Sequence, residues 1–140
     1  MKEPIVDALK IKFSHHIPAL VSSFVYILAA LVLQDKDILV FGLLILVFLT
    51  SIFYHSHPEN KFFRLADWVA SLSFIIYIFK LVITYGYSHY IFGSLGAFCI
   101  IFWIISEIAY VNKFNTIFNI SHTLWHIFSA LAIFMVVFSI

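Results

Sequence analysis

Charged residues are scarce in this sequence of 140 residues: Asp, Glu, Lys and Arg together make up 11% of it, against about 25% in soluble domains. Hydrophobic residues make up 64%, including 17 Phe, and the mean hydropathy is +1.07. Such a chain has too little polar surface to cover itself in water, which excludes a soluble domain and predicts a protein whose solvent is lipid. The formal net charge of only +1 gives no electrostatic argument for binding nucleic acid.

Cysteine is almost absent as well. The single Cys99 lies in an apolar run, so an internal disulfide is excluded and the redox compartment cannot be inferred. The sequence contains no internal repeat, no low-complexity segment and no stretch typical of a soluble domain. No small-residue cleavage pattern follows the first apolar run, so no signal peptide is predicted. We expect one transmembrane domain over residues 1–140.

Long apolar runs dominate the rest of the sequence. A helix needs about 20 mostly apolar residues to cross the core of a bilayer, with a range of about 17–25. Barrel strands are excluded because they are only about 9–11 residues long and alternate in polarity. The predicted fold class is therefore all-α, a polytopic membrane helix bundle of about five transmembrane helices. These helices are expected near residues 17–33, 38–54, 67–84, 90–110 and 118–140, after a short interfacial helix at residues 1–12.

The distribution of Lys and Arg predicts the orientation in the membrane. Because the breaks between the apolar runs are short, consecutive helices are expected to be antiparallel neighbours. The side opposite the N-terminus then carries only Lys36 and Lys80. The side that holds the N-terminus carries Lys2, Lys10, Lys12, Lys61, Arg64 and Lys113. This asymmetry favours a cytoplasmic N-terminus for an integral protein of the cell membrane, or of the inner membrane if the source is bacterial.

Ionisable side chains gather at one end of this predicted bundle. His122 and His126 lie four residues apart in the last helix, so they share one of its faces with Cβ atoms about 6 Å apart. Ser51 and His55 have the same spacing at the end of the second helix, and Asp67 begins the third. On the predicted topology all five lie in the cytoplasmic leaflet. Since a charge at mid-bilayer costs about 2.5–3.5 kcal/mol, we interpret this gathering as a metal site.

The residue types indicate zinc and hydrolysis. Neutral imidazoles from His55, His122 and His126, with a fourth position left open, form a common catalytic zinc set. Zinc lowers the pKa of a bound water to about 7 and so supplies a hydroxide nucleophile. We predict that Asp67 moves the proton and that Ser51 orients the water, which makes both of them catalytic residues. A further acid in an apolar run, Glu107, is either a partner of a zinc histidine or a residue that reaches the membrane interface.

Three short motifs resemble the CREST superfamily of membrane hydrolases, which groups alkaline ceramidases, progestin and adipoQ receptors, haemolysin III proteins and Per1-like proteins. The motifs are SIFYH at residues 51–55, LADW at residues 65–68 and HTLWH at residues 122–126. The resemblance implies that the three histidines hold Zn2+ and that the serine and the aspartate contact the water bound to zinc. It also implies a hydrolase that cleaves an amide or ester of a membrane lipid.

This chain has room for five helices, whereas the family normally has seven. Two helices missing between the aspartate helix and the HxxxH helix would leave the sidedness of the site unchanged, because an even number restores the direction of the chain. The resemblance therefore predicts a shortened, ceramidase-like hydrolase whose lipid tail lies among the Phe-rich helices. A homodimer would cover the wall that the missing helices leave open.

Two other functions fit part of the same pattern. Histidines on facing helices, for example His55 with His122, could bind haem in an electron-transfer bundle. A receptor or assembly subunit could keep the metal only as a structural cross-link. Asp67 alone also fits the N-terminal end of a helix dipole.

The remaining polar and aromatic residues carry weaker expectations. At most one of His15 and His16 can face the site, because adjacent residues diverge by about 100° on a helix. His57 and His89 are expected in loops. Trp125 is interpreted as an interfacial anchor rather than as the wall of a lipid cleft.

Overall fold

The computed structural model describes residues 16–85 and 89–138, except for the side chains of residues 89–91. This part of the chain is almost entirely helical and contains no strand, which confirms the predicted all-α fold class. The five helices in it are α1 over Ile17–Leu33, α2 over Ile38–Ser56, α3 over Lys61–Tyr85, α4 over His89–Val111 and α5 over Asn115–Phe138. The predicted interfacial helix at residues 1–12 lies outside the described residues.

Helices α2 to α5 are each long and apolar enough to cross a membrane. Helix α1 is shorter, and Ser23 divides it into the segments Ile17–Ser22 and Phe24–Leu33. The Oγ atoms of Ser22 and Ser23 both donate to the carbonyl oxygen of Ala19 at 2.9 Å. Serine bonds of this kind compete with the backbone ladder and bend helices, which explains the interruption.

Helix α3 begins at Lys61, well before the apolar run that predicted it. Asn60 precedes it, and the Oδ1 atom of Asn60 accepts a hydrogen bond from the N–H of Phe62 at 2.9 Å, as helix caps do. The apolar run starts later because hydropathy marks the part of a helix that suits lipid, not the whole helix. Asp67 therefore lies beyond the first turn, where a helix dipole has little effect. For the same reason α2 ends at Ser56 and α5 begins at Asn115, both outside the predicted limits.

A tight turn joins α4 to α5. Lys113 has a left-handed backbone with φ of 60°. The N–H of Phe114 donates to the carbonyl oxygen of Ala109 at 2.8 Å, and the N–H of Lys113 donates to that of Tyr110 at 3.2 Å, which is the Schellman pattern of helix ends. This turn folds α5 back along α4, so the last turns of α4 lie beside the first turns of α5.

The apolar core lies between α1, α2, α3 and α5. Of the helices that can span a membrane, α5 is the most buried. Ile133 and Val136 of α5 belong to one buried cluster with Leu33 of α1, Leu44 of α2 and Phe74 of α3. Helix α4 packs along α5 but makes few close backbone contacts with α3. The backbones of α3 and α4 are consequently farther apart, and the contacts between these two helices come from side chains.

Candidate metal centre

Three buried histidines meet at one end of the bundle. His55 lies in the last turn of α2, and His122 and His126 lie on the inner face of α5. One ring nitrogen from each histidine lies within 4.8 Å of those of the other two. The Nε2 atom of His55 is 3.1 Å from that of His122, and none of the three residues is more than 3% exposed. These histidines are therefore close enough to hold one metal ion.

The donor set suits a zinc ion. Two nitrogens bound to one tetrahedral zinc at about 2.0–2.1 Å lie about 3.3 Å apart. The Nε2 atoms of His55 and His122 are close to that separation. Among the described residues, Nε2 of His126 makes no hydrogen bond, so this atom is available to a ligand. The arrangement accepts a third nitrogen beside the first two.

Each of the three rings is held in place through its Nδ1 atom. The partners are Nδ1 of His16 at 3.2 Å from His55, Oγ of Ser22 at 2.7 Å from His126 and Oγ of Ser106 at 3.3 Å from His122. Metal-binding histidines commonly use their second ring nitrogen in this way, which fixes the orientation of the ring. These partners lie at the start of α1, within α1 and in α4. The histidines themselves lie on α2 and α5, so four helices together build the centre.

Neither Ser22 nor Ser106 was predicted as a site residue from the sequence. A pair of serines inside the apolar run of α1 is the signal that points to Ser22, whose hydroxyl lies 2.7 Å from Nδ1 of His126 on α5. Ser106 gives no comparable signal, since it is one serine in an apolar run. Of the two adjacent histidines, His16 is the one beside the centre, and His15 lies outside the described residues.

Ser51 and Asp67 form a buried pair between α2 and α3. The Oγ atom of Ser51 donates to Oδ1 of Asp67 at 2.5 Å, and Oγ1 of Thr50 donates to the same oxygen at 3.4 Å. Asp67 is 5% exposed and Ser51 is 1% exposed. Ser51 lies one helical turn before His55, so the pair and the histidine share the inner face of α2. Among the described residues, Oδ2 of Asp67 accepts no hydrogen bond and can receive a proton.

Glu107 forms no hydrogen bond or ion pair with any histidine of the described residues. Its carboxylate forms an ion pair with Arg64 and accepts a hydrogen bond from Nε1 of Trp68 at 3.2 Å. The guanidinium of Arg64 also lies over the rings of Trp68 and Tyr110, 4.8 Å and 4.5 Å from their centroids. These residues connect α3 to α4 at the same end of the bundle as the histidines. The contact from α4 to the histidine centre comes from the neighbouring Ser106.

Two histidines, His57 and His89, were expected in loops, and the structure describes the side chain of His57 only. His57 follows the last residue of α2, and its ring centroid lies 5.6 Å from that of Phe63. The side chain of His89 lies outside the described residues.

An apolar cleft lies on the same side of α5 as the histidine centre, although none of the three histidines lines it. It lies between α3, α4 and α5 and has a volume of about 330 Å³. Trp125 and Ser129 line it, and both share the inner face of α5 with His122 and His126 because of their helical spacing. Trp125 is 3% exposed. The expectation that it is an interfacial anchor is therefore wrong, and Trp125 is part of the wall of this cleft.

The fold and the site together define a polytopic helical membrane protein with a buried three-histidine centre that can hold a metal ion. Comparisons with protein-family models, with curated proteins and with solved structures find no match. The resemblance to the CREST superfamily consequently depends on the three motifs alone.

Proposed function

We propose that the protein is a zinc-dependent integral-membrane hydrolase that cleaves an amide or ester of a membrane lipid, as the resemblance to the CREST superfamily implies. The observation that carries this proposal is the cluster of His55, His122 and His126, buried within reach of one ion. Each ring is oriented by its own Nδ1 partner, which is costly to arrange in an apolar bundle unless the Nε2 atoms have a common use.

Zinc held by three histidines would activate a water and polarise a carbonyl oxygen at neutral pH. The protein residues account for the proton. Oδ1 of Asp67 is held by the hydroxyl of Ser51, so Oδ2 is free to take a proton from the water that attacks the acyl carbon. The same carboxyl group then gives this proton to the leaving nitrogen or oxygen. The products are a carboxylic acid and an amine or alcohol.

The apolar cleft supports a lipid substrate. Its lining is nearly free of polar groups, and its volume lies at the lower end of the range for ligand pockets, about 300–1,000 Å³. One end lies at Trp125, next to His126, so a tail in the cleft would leave its polar end near the histidines. The tail would enter from the bilayer between α3 and α4, where the backbones of the bundle are apart.

The orientation and the assembly belong to the same proposal. The excess of Lys and Arg on the side of the N-terminus favours a cytoplasmic N-terminus and a site in the cytoplasmic leaflet. The two helices that the CREST superfamily has in addition would follow α3 in the sequence. A second copy of the chain in a homodimer would cover the wall that these missing helices leave open.

Metal analysis of the purified protein tests the proposal first. We expect about one zinc per chain, and we expect His122→Ala and His126→Ala to lose it together with lipid hydrolysis. His57→Ala is the matched control and should keep both. A purified His122→Ala variant with its full zinc content would contradict the metal assignment. Wild-type protein that holds zinc but releases no fatty acid from any membrane lipid would leave the metal with a structural role.

The haem alternative is tested by the absorption spectrum of the same sample. The Nε2 atoms of His55 and His122 are 3.1 Å apart, which leaves no room for a porphyrin between them. We therefore expect a colourless protein, and a Soret band would favour haem instead.

A further inference from the structure

Two buried polar atoms without partners belong to residues at the histidine end of the bundle, and both residues contact Tyr110. In the part of the chain that the structure describes, the buried side-chain polar atoms without a hydrogen bond include the hydroxyl of Tyr54 and Nε of Arg64. Two others, on Asn119 and Thr123, face a separate surface pocket at the start of α1. An unpaired buried polar group destabilises a fold, and inside a membrane no bulk water compensates for it.

Tyr54 is the clearer of the two. It is 1% exposed, and its ring lies 4.7 Å from that of the adjacent His55 and 5.9 Å from that of His16. Packing alone does not require a hydroxyl here, since Phe fills nearly the same space and is the commonest aromatic residue of this chain. Of the tyrosines whose side chains the structure describes, Tyr26 is also fully buried, and it does have a partner, because its hydroxyl lies 2.7 Å from Oγ of Ser129.

Arg64 and Tyr54 have common neighbours. Besides His55 and His16, the ionisable groups around Tyr54 include Tyr110, Glu107, Arg64 and Asp67. The ring of Tyr110 lies 6.5 Å from that of Tyr54 and directly under the guanidinium of Arg64. Glu107 and the two aromatic rings hold this guanidinium in place, while its Nε–H has no acceptor among the residues that the structure describes.

We propose that the Tyr54 hydroxyl and the Nε–H of Arg64 form a subsite for an uncharged hydrogen-bond acceptor on the head of the lipid. Arginine can only donate, and the phenol donates as well, so the ligand must supply an acceptor oxygen. Glu107 already balances the charge of Arg64, so the subsite has no positive charge left to attract a phosphate. A hydroxyl or carbonyl oxygen of a neutral lipid head fits these requirements. The identity of the ligand as a lipid rests on the proposed function.

Binding of two single-chain lipids that contain no carboxylic amide or carboxylic ester tests the subsite without turnover. The probes are 1-O-octadecylglycerol, which has a neutral head, and octadecyl phosphate, which has the same chain with a charged head. We expect Tyr54→Phe to weaken the binding of octadecylglycerol to the purified full chain by roughly tenfold, the effect of one lost hydrogen bond. Tyr77→Phe is the control, because Tyr77 donates to Asp37 at the opposite end of the bundle.

Thermal unfolding without lipid gives a second readout. Because the Tyr54 hydroxyl has no partner, Tyr54→Phe should leave the melting temperature unchanged or raise it, with its zinc content intact. Tyr26→Phe is the matched comparison and should lower the melting temperature, because Ser129 loses a hydrogen-bond partner.

Three results would overturn the subsite. The first is an unchanged affinity of Tyr54→Phe for both probes, and the second is a larger effect on octadecyl phosphate than on octadecylglycerol. The third is a melting temperature several degrees lower for Tyr54→Phe, since this would show that the hydroxyl already has a partner. Failure of the proposed hydrolase is a separate outcome: wild-type protein would then bind the neutral ether through Tyr54 but cleave no acyl lipid.

Discussion

The two oxygens of the Asp67 carboxylate have different surroundings. Oδ1 accepts hydrogen bonds from Ser51 and Thr50, whereas Oδ2 accepts none from the described residues. A buried carboxylate with no cation beside it is expensive, and two hydroxyl donors on one oxygen offset only part of that cost. In the proposed hydrolase, the remaining oxygen would accept the proton of the attacking water. The proposal thus assigns metal binding to the histidines and proton transfer to Asp67.

Asp67→Asn should therefore keep the metal and lose the reaction. The amide can still accept the hydrogen bond from Ser51, but it cannot take a proton, so we expect lipid hydrolysis to fall by about 10²–10⁴-fold. Zinc content and hydrolysis are measured on the same preparation. Asp37→Asn is the matched control, because Asp37 caps α2 at the opposite end and Asn caps a helix equally well. Unchanged hydrolysis in Asp67→Asn would remove Asp67 from the mechanism.

Ser106 positions the ring of His122, and this contact gives a second prediction for a single residue. Ser106→Ala removes the oxygen next to Nδ1 of His122, so the ring is less well oriented. We expect the affinity for zinc to fall by about 10–100-fold, as other losses of such partners do. Competition with a chelator measures this change. Ser73→Ala provides the control, since the Ser73 hydroxyl bonds only to its own helix at an exposed position, and an equal loss in both variants would contradict the role of Ser106.

Among the elements, sequence predicted the helices better than their ends. Spanning helices follow from long apolar runs, and sharing of a face by His122 and His126 follows from their spacing. The start of α3 could not be predicted from either signal, because Asn60 begins the helix in a charged segment that hydropathy ignores. The interruption of α1 at Ser23 depends on two serine bonds to Ala19 that compete with the backbone, and their outcome depends on tertiary contacts.

The turn between α4 and α5 gives a prediction for stability. Lys113 is exposed and has a left-handed backbone, which costs a residue with a side chain about 1–2 kcal/mol. Lys113→Gly removes this cost. Because glycine also loses more conformational entropy on folding, the net gain in the free energy of unfolding should be about 0.5–1 kcal/mol. Denaturation of the protein in detergent measures it. Lys113→Ala removes the same charge but keeps the strained backbone, so it should not be stabilised, and equal stability of the two variants would contradict this explanation.

For the whole molecule, the meeting of three helices at one end was predictable, but the cleft was not. Antiparallel neighbours bring the end of α2, the start of α3 and the start of α5 to one side of the bundle, whatever their packing. The cleft depends on how far α3 and α4 stay apart, which follows from side-chain packing on all helices at once. Trp125 shows the difference, because its position on α5 was known while its burial against α4 was not.

The length of the cleft makes the last prediction. Gly93 lines it on α4, 13 residues before Ser106 and hence about 20 Å from the histidine centre along the helix. A Cβ at Gly93 meets nothing within 4 Å, so Gly93→Leu should fold normally and fill the far end of the cleft. We expect hydrolysis of long-chain lipids to lose at least about tenfold in kcat/KM, while short-chain lipids and zinc content are unaffected.

Gly42→Leu is the same change at an open position on α2 outside the cleft, and it should leave the chain-length profile as it is. If Gly93→Leu reduces hydrolysis of short and long chains equally, the tail does not occupy the space between α3 and α4, and the lipid must reach the histidines by another path.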